Sequence, residues 1–513
     1  MRVLILDPDG WFDFESLGHE VSTAFLTEYE TPLAPILDRL SRPPDCIIQQ
    51  EKLGERRFVT GLENAPCPTL YLAFDAHLNL YWQRFYGRLF DAVLTPHLAL
   101  FEALPPEDRL SNVFRLLPPG RLLPWRTHAS RRHALAFCGR LTADRPVRTN
   151  MISLLQRRFG LDLRQEISQE AMFRLYRDTR VIPNEAICFE VNCRLFEGAS
   201  AGAAMLTPDC GPDQQAAFAD GEEILLYQDG LDLCLKIAWL RDNPDKAETM
   251  GKRAHARIRR DHLPVNRAAQ VLDILPALSQ ARATGPDAAT AAWLTRLERT
   301  TSGDRHHPAS ALLIQGAALP QVPEVLAGML HLLGSPARKA PAMELARQLL
   351  DTGTASSSAL CNAAASACAL AHGDMPLAQD FFRRQFPGSP PPETPAGLCL
   401  AWAESERKAG RAVRPGFAFS PSAGHLPACA REFLVFARHI SPRDRAALAA
   451  EEAQLLAPFP AYANHRLSLL ESLRDAPGVP DTREIARLLL FCCRVDEGLA
   501  LLGSGRETGG NAS

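Results

Sequence analysis

The stretch "VNCRLFEGASAGAAMLTPDCG", residues 191–211, places Arg194 and Glu197 three residues apart at the head of a run that is otherwise small and apolar. A glutamate in the first turn of a helix is ordinary, favourable by about 0.3–1 kcal/mol at the positive end of the dipole. The residues after it are less ordinary. Ala199 to Ala204 form a helix whose side chains are too small to cover a core, so that another backbone or a ligand can approach closely. "MLTPDCG" (205–211) then reads as a short buried strand breaking into a Pro/Gly turn. A helix feeding a strand in this way is a unit of an open parallel sheet. A helix starting near Glu197 would hold that glutamate where such sheets place ligands.

The chain around this unit has 513 residues, enough for two or three domains with substantial cores. Lys+Arg is 56 and Asp+Glu is 59, a formal net charge of −3, which gives no basic surplus to attract nucleic acid or an anionic membrane. The opening "MRVLILDPDG" has an apolar run shorter than a signal-peptide core or a membrane span. The expectation is a cytoplasmic protein without a transmembrane segment. Thirteen cysteines, none in a C-x-x-C pair, read as free thiols in a reducing compartment.

Residues 1–125 alternate short apolar runs ("RVLIL", "DCIIQQ", "TLYLAF", "DAVLTP") with helical or irregular stretches, the pattern of a Rossmann-like α/β domain. "LLPPGRLLPWRTHASRRH" (116–133) interrupts it as a linker would. The alternation restarts in residues 126–280, with "ALAFCGRL", "AICFEV", "AAMLTP" and "EILLY" as strands, which predicts a second Rossmann-like domain. Residues 285–503 turn Ala/Leu-rich and helical. Within them "ALCNAAASACALAHGDMPLAQDFFRRQFPGSP" (359–390) sets Gly373-Asp374 in a helix–helix turn, with Ala378 and Phe382 on the second helix, and resembles a degenerate tetratricopeptide unit; a plain helical bundle is the alternative. The tail 504–513 is disordered by composition.

Candidate site residues gather in the second domain. "FCGRLTADR" follows a strand with Arg140 and, five residues on, Arg145. "EGASAG" runs from Glu197 to Gly202. A strand ending in Gly-Arg with a second cation five residues later, and a glutamate before a small-residue helix, resemble the retaining GT-B glycosyltransferases of the family 4 type. The resemblance implies that Arg140 and Arg145 hold a nucleotide-sugar diphosphate and that Glu197 bonds the ribose. The earlier acid of that pattern would fall at position 189, which is Phe; Glu190 is the nearest acid, and Asn192 and Arg194 are candidates for its donor-sugar contact. The order of a Pro-Asn loop at Asn184, an Asn-x-Arg-x-Phe-Glu helix start and a Gly-x-Glu-Ile strand is similar to the spore-maturation-protein-like (CgeB-like) branch. So is "FDAHLNLYWQRFYGRLFDAVLTPH", which puts Asp75 and His77 just after a strand. The similarity covers residues 65 to 270 and not the helical C-terminus.

This implies an enzyme that moves a sugar from a nucleotide sugar to a protein or glycan acceptor. Fixed guanidinium groups would stabilise the charge that develops on the leaving diphosphate. His77, with Asp75 beside it, would act as general base toward the acceptor hydroxyl, since imidazole titrates near neutrality. The alternative for this pair is that Asp75 caps the following helix and His77 packs on the linker. No His/Cys/Asp cluster has metal-ligand spacing, so neither metal nor cofactor is expected beyond the nucleotide-sugar substrate. Two other readings stay open: an inactive scaffold of the same shape whose helical C-terminus binds a protein partner, and an enzyme of another reaction such as epimerisation. In the transferase reading the helical part docks the acceptor, and a chain ending near 282 would still fold and bind donor.

Overall fold

The computed structural model describes residues 1–52, 54, 56–278, 281–474 and 481–504. The expected disordered tail lies outside them from residue 505 onward. Contacts divide the chain into two compact units, neither continuous in sequence: one joins residues 1–8, 21–114 and 277–455, the other residues 9–20, 115–276 and 456 onward.

In the first unit, β1 (Arg2–Leu6), β2 (Glu20–Ala24), β4 (Cys46–Gln50), β6 (Thr69–Leu72), β7 (Ala92–Thr95) and β8 (Val113–Arg115) form a six-stranded sheet in the order β2-β1-β4-β6-β7-β8. β3 (Glu30–Pro32) and β5 (Phe58–Thr60) make a small parallel pair. The pairs β1–β4, β4–β6 and β6–β7 are parallel. Every residue of β4, β6 and β7 is buried, which is why these strands read as continuous apolar runs and not as alternating ones. β2 and β8 are half-exposed edge strands with mixed residues, and the sequence has no comparable run there. Helix α1 (Ala76–Tyr86) follows β6.

In the second unit, β9 (His133–Cys138), β10 (Asp162–Arg164), β11 (Thr179–Pro183), β12 (Ala204–Pro208) and β13 (Ile224–Tyr227) form a parallel sheet in the order β10-β9-β11-β12-β13. It is covered by α2 (Pro146–Phe159), α3 (Gln169–Arg177), α4 (Cys193–Ser200), α5 (Gly230–Asp242), α6 (Pro244–Asp261) and α7 (Pro264–Ile274). Three expectations are corrected. "AICFEV" is not a strand: "TRVIP" before it takes that place, while Cys188 and Phe189 adopt left-handed backbone (φ 51° and 60°) that ends extension. The helix of the opening stretch starts at Cys193, capped by Asn192, so Glu197 stands within it and not at its mouth. The linker segment is packed: buried Arg267 donates to the carbonyls of Leu117 (2.6 Å) and Pro118 (3.2 Å).

The small residues of the opening stretch serve close packing. A Cβ on Gly198 would lie 2.2 Å from Met205 Sδ of β12, and one on Gly251 of α6 would lie 2.3 Å from the Gly202 carbonyl. Of the two occupants the sequence allows, backbone or ligand, the structure shows backbone.

Helix α8 (Gly285–Thr301) packs on α1, with Ala288 and Ala291 in the core that α1 shares with the first sheet. Helices α9 (Ala359–Ala371) and α10 (Met375–Gln385) form the expected hairpin, with Gly373 at φ 79° and Asp374 capping α10 through the Leu377 N–H at 3.1 Å. By contrast α11 (Ala463–Ser472), α12 (Thr482–Phe491) and α13 (Val495–Ser504) belong to the second unit, where Leu490, Cys493 and Val495 enter the core beside Met151, Leu155 and Leu233. All thirteen cysteines are free thiols. No helix among the described residues is long and apolar enough to cross a membrane.

Candidate functional site

Parallel sheets collect ligands at their carboxyl edge, and in the second unit that edge is tied together by polar side chains. β9 ends at Cys138 and is followed by Gly139, where a Cβ would lie 2.8 Å from Arg194 Nη2 and 2.9 Å from the Phe137 ring. Glycine here lets Arg194 lie across the strand end. Its Nε and Nη2 donate to the Cys138 carbonyl (3.3 and 3.2 Å), its Nη1 donates to Asn184 Oδ1 (3.0 Å), and its guanidinium sits 4.2 Å from the Phe137 ring centroid. Asn184, buried after β11, donates to Thr207 Oγ1 of β12 (3.1 Å), and its carbonyl accepts from the Tyr227 hydroxyl of β13 (2.7 Å). One ladder thus joins the ends of four strands. Asn192 extends it: its Oδ1 accepts the Leu195 N–H (3.4 Å), and its Nδ2 donates to the Glu185 carbonyl (3.2 Å) and to Glu190 Oε1 (3.4 Å).

Glu197 differs from its neighbours. Its carboxylate makes no hydrogen bond to a described residue, and burial pushes it above the ordinary glutamate range against the opposing charge of Arg194. Such a group is poised to accept hydroxyl donors. Arg140 is exposed beyond β9, and Arg145 is half-buried at the position before α2. Gly202 is not brought to this edge. It lies past the far end of α4 at φ 70°, where a Cβ would meet the Trp125 ring at 2.6 Å, and its carbonyl accepts from His128 Nε2 at 2.9 Å; this is a close-packing position.

The residues that sequence reading misses here are Arg148 and Glu185. Both are buried, and Arg148 Nε donates to Glu185 Oε2 at 2.7 Å while Nη1 reaches the Arg140 carbonyl at 3.4 Å. An arginine one turn into a helix carries no signal by itself. Only the fold shows that it braces the loop bearing Arg140.

The carboxyl edge of the first sheet carries a second cluster. Asp75 stands at the N-cap position of α1, yet its side chain makes no capping bond, contrary to the capping alternative. Its backbone N–H donates to Glu51 Oε2 (2.8 Å), and Asn79 Nδ2 donates to Glu51 Oε1 (2.7 Å). Buried His77 packs edge-on against His97, ring centroids 5.1 Å apart. Glu51 and His97 follow β4 and β7 as Asp75 follows β6. The strands "DCIIQQ" and "DAVLTP" are legible, so reading one to two residues past each finds both.

Burial and the charge of Asp75 push Glu51 up from 4.5 to about 7. Folding therefore favours its protonated form, and the stability this lends is full below about pH 4.5 and lost as pH rises through about 7. Glu51→Gln is expected to flatten that part of the profile by on the order of 2 kcal/mol between pH 5 and 8. Urea midpoints at both pH values measure it; an unchanged slope would show that Glu51 does not titrate there.

Residues 131–273, which span the second sheet, match the family model described as "Glycosyl transferase-like". No curated protein matches the chain. Similar solved structures include Anabaena Alr3699/HepE in complex with UDP and glucose, at 12% identity and TM-score 0.39, over 54% of this chain and 100% of that one. An alpha-glucosyltransferase in complex with UDP-glucose and DNA containing an abasic site is also similar, at 12% identity and TM-score 0.37, over 54% and 99%. A third is the pneumococcal O-GlcNAc transferase GtfA in complex with UDP and GlcNAc, at 12% identity and TM-score 0.33, over 45% of this chain and 56% of that one.

Proposed function

We propose that the chain transfers a sugar from a nucleotide-sugar donor to a protein or glycan acceptor. The observation that carries this reading is Glu197, a half-buried carboxylate with no hydrogen bond to a described residue, set beside Arg194 at the strand end that leads into Gly139-Arg140, within the glycosyl transferase-like segment. In this reading Glu197 accepts the two ribose hydroxyls, and Arg140 and Arg145 hold the diphosphate. They stabilise it more as the glycosidic bond breaks and negative charge collects on the leaving oxygen. Arg194, Asn184, Asn192 and Glu190 fix the edge on which the donor rests. Asp75 and His77 take the proton of the acceptor hydroxyl. The reaction so drawn uses no metal.

Calorimetry with UDP, GDP and pyrophosphate tests the donor half. Arg140→Ala and Arg145→Ala are each expected to weaken nucleotide binding by about 1.5–3 kcal/mol, the range for hydrogen bonds to charged groups. Glu197→Gln is expected to lose nucleotide affinity and keep pyrophosphate affinity. Unchanged binding in both arginine variants would return those side chains to the loop surface, and equal losses for both ligands in Glu197→Gln would make the glutamate a structural charge.

A further inference from the structure

Within the second unit, a cavity of about 510 Å³ lies between the carboxyl edge of the sheet and the C-terminal helices, with Arg145, Glu185, Asp209 and Gln228 on one side and Asn464 and His465 of α11 on the other. We infer that this cavity receives the sugar portion of the donor, and that α11 and α12 thereby help set which sugar is transferred. The inference rests on the proposed donor site.

Three observations carry it. The first is order along the edge. Arg194, one helical turn before Glu197, lies across the end of β9, whereas the cavity lies past the ends of β11, β12 and β13 and has Arg145 in its wall. A nucleotide sugar with its ribose at Glu197 and its diphosphate at Arg140 and Arg145 therefore carries its third part toward the cavity. The second is chemistry. The volume is that of a small-molecule site, mostly apolar with a few polar groups. Carboxylate, amide and imidazole groups suit sugar hydroxyls, and Phe189, Tyr227 and Phe491 offer surfaces for the C–H faces of a pyranose ring.

The third is strain. Of six non-glycine residues with left-handed backbone among the described residues, three line this cavity: Cys188 (φ 51°), Phe189 (φ 60°) and Cys493 (φ 60°). Such conformations are costly for residues with a side chain and persist where the surroundings hold them, most often at ligand sites. Here the hold is visible. The Phe189 ring stacks on Phe491 (5.7 Å, 23°), Asn150 Nδ2 donates to the Cys492 carbonyl (3.0 Å), and Gly230 admits the chain so closely that a Cβ there would lie 2.9 Å from Cys493 Cα.

Ala461 is exposed on its rim, so Ala461→Trp obstructs the cavity without disturbing the core, and Asn464→Ala removes one polar group. Calorimetry on the full chain with UDP and GDP, and with the glucose and mannose conjugates of each, separates the parts of the donor. Ala461→Trp is expected to lower affinity for the sugar nucleotide at least tenfold and to leave the bare nucleotide within twofold; Asn464→Ala is expected to do the same more weakly, about threefold. Sugar-nucleotide affinity unchanged in Ala461→Trp, or nucleotide and sugar nucleotide weakened alike, overturns the inference alone. A wild-type chain that binds none of these compounds overturns the donor reading first, and this one with it.

Discussion

A chain ended at residue 282 is expected to be insoluble and to show no cooperative melting, although the sequence suggests a self-sufficient catalytic part ending there. The physical reason lies in both cores. In the first unit the cut removes α8, whose Ala288 and Ala291 sit among Leu80, Tyr81 and Trp82, and it removes Phe417 from the same cluster. It also makes Arg282 the terminal residue, the buried partner of Asp91 (3.0 Å) and of the Ala65 carbonyl (2.6 Å). In the second unit it removes Leu490, Cys493 and Val495 from against α2 and α5. Each large side chain so uncovered or lost forfeits about 1.5–3 kcal/mol of burial, and half a dozen exhaust the roughly 5–15 kcal/mol that holds a typical domain. Soluble expression followed by thermal melting decides it. A soluble fragment with a sharp transition would restore the separable acceptor-docking region that the sequence suggests.

The sequence does not show that those later helices enter both cores, for a physical reason that recurs along the chain. "RVLIL" and "TLYLAF" are legible as strands because burial on both faces leaves an unbroken apolar run. "TRVIP" is not, since Arg180 interrupts it, and "AICFEV" imitates a strand because apolar content does not reveal left-handed φ at Cys188 and Phe189. The helices after residue 285 are legible as helices. Their partners are not, because an apolar helix face does not name the core it enters: α8 joins the core of the first unit and α12 that of the second. The site divides in the same way. Arg140, Arg145, Asn184 and Arg194 follow strands or open helices, where ligand positions are expected; Glu197 stands one turn further into its helix, and Gly202 looks like part of the same motif and proves to be a packing glycine. Glu185 and Arg148 lie 37 residues apart, and no local pattern joins them.

That last pair yields the other large effect expected here. Arg148 and Glu185 are a buried ion pair, with side chains 3% and 8% exposed and a 2.7 Å bond. Burial pulls the Arg148 guanidinium below its usual range, and the Glu185 charge opposes that pull. Replacing the arginine alone leaves Glu185 buried with no opposing charge bonded to it, so Arg148→Met is expected to lose about 3–5 kcal/mol of stability. In the double variant Arg148→Met with Glu185→Leu neither charge is left behind, and most of the loss should return, because an apolar pair of similar volume replaces a buried ion pair at little net cost. Urea unfolding of the four proteins closes the cycle. Nucleotide affinity need not follow stability, since the bond from Arg148 to the Arg140 carbonyl is absent from both variants. A double variant that regains its stability but binds UDP and GDP several-fold more weakly than wild type would show that the pair braces the loop carrying Arg140. If Arg148→Met alone is as stable as wild type, the pair is no brace, and the position of Arg140 must be fixed by its own loop.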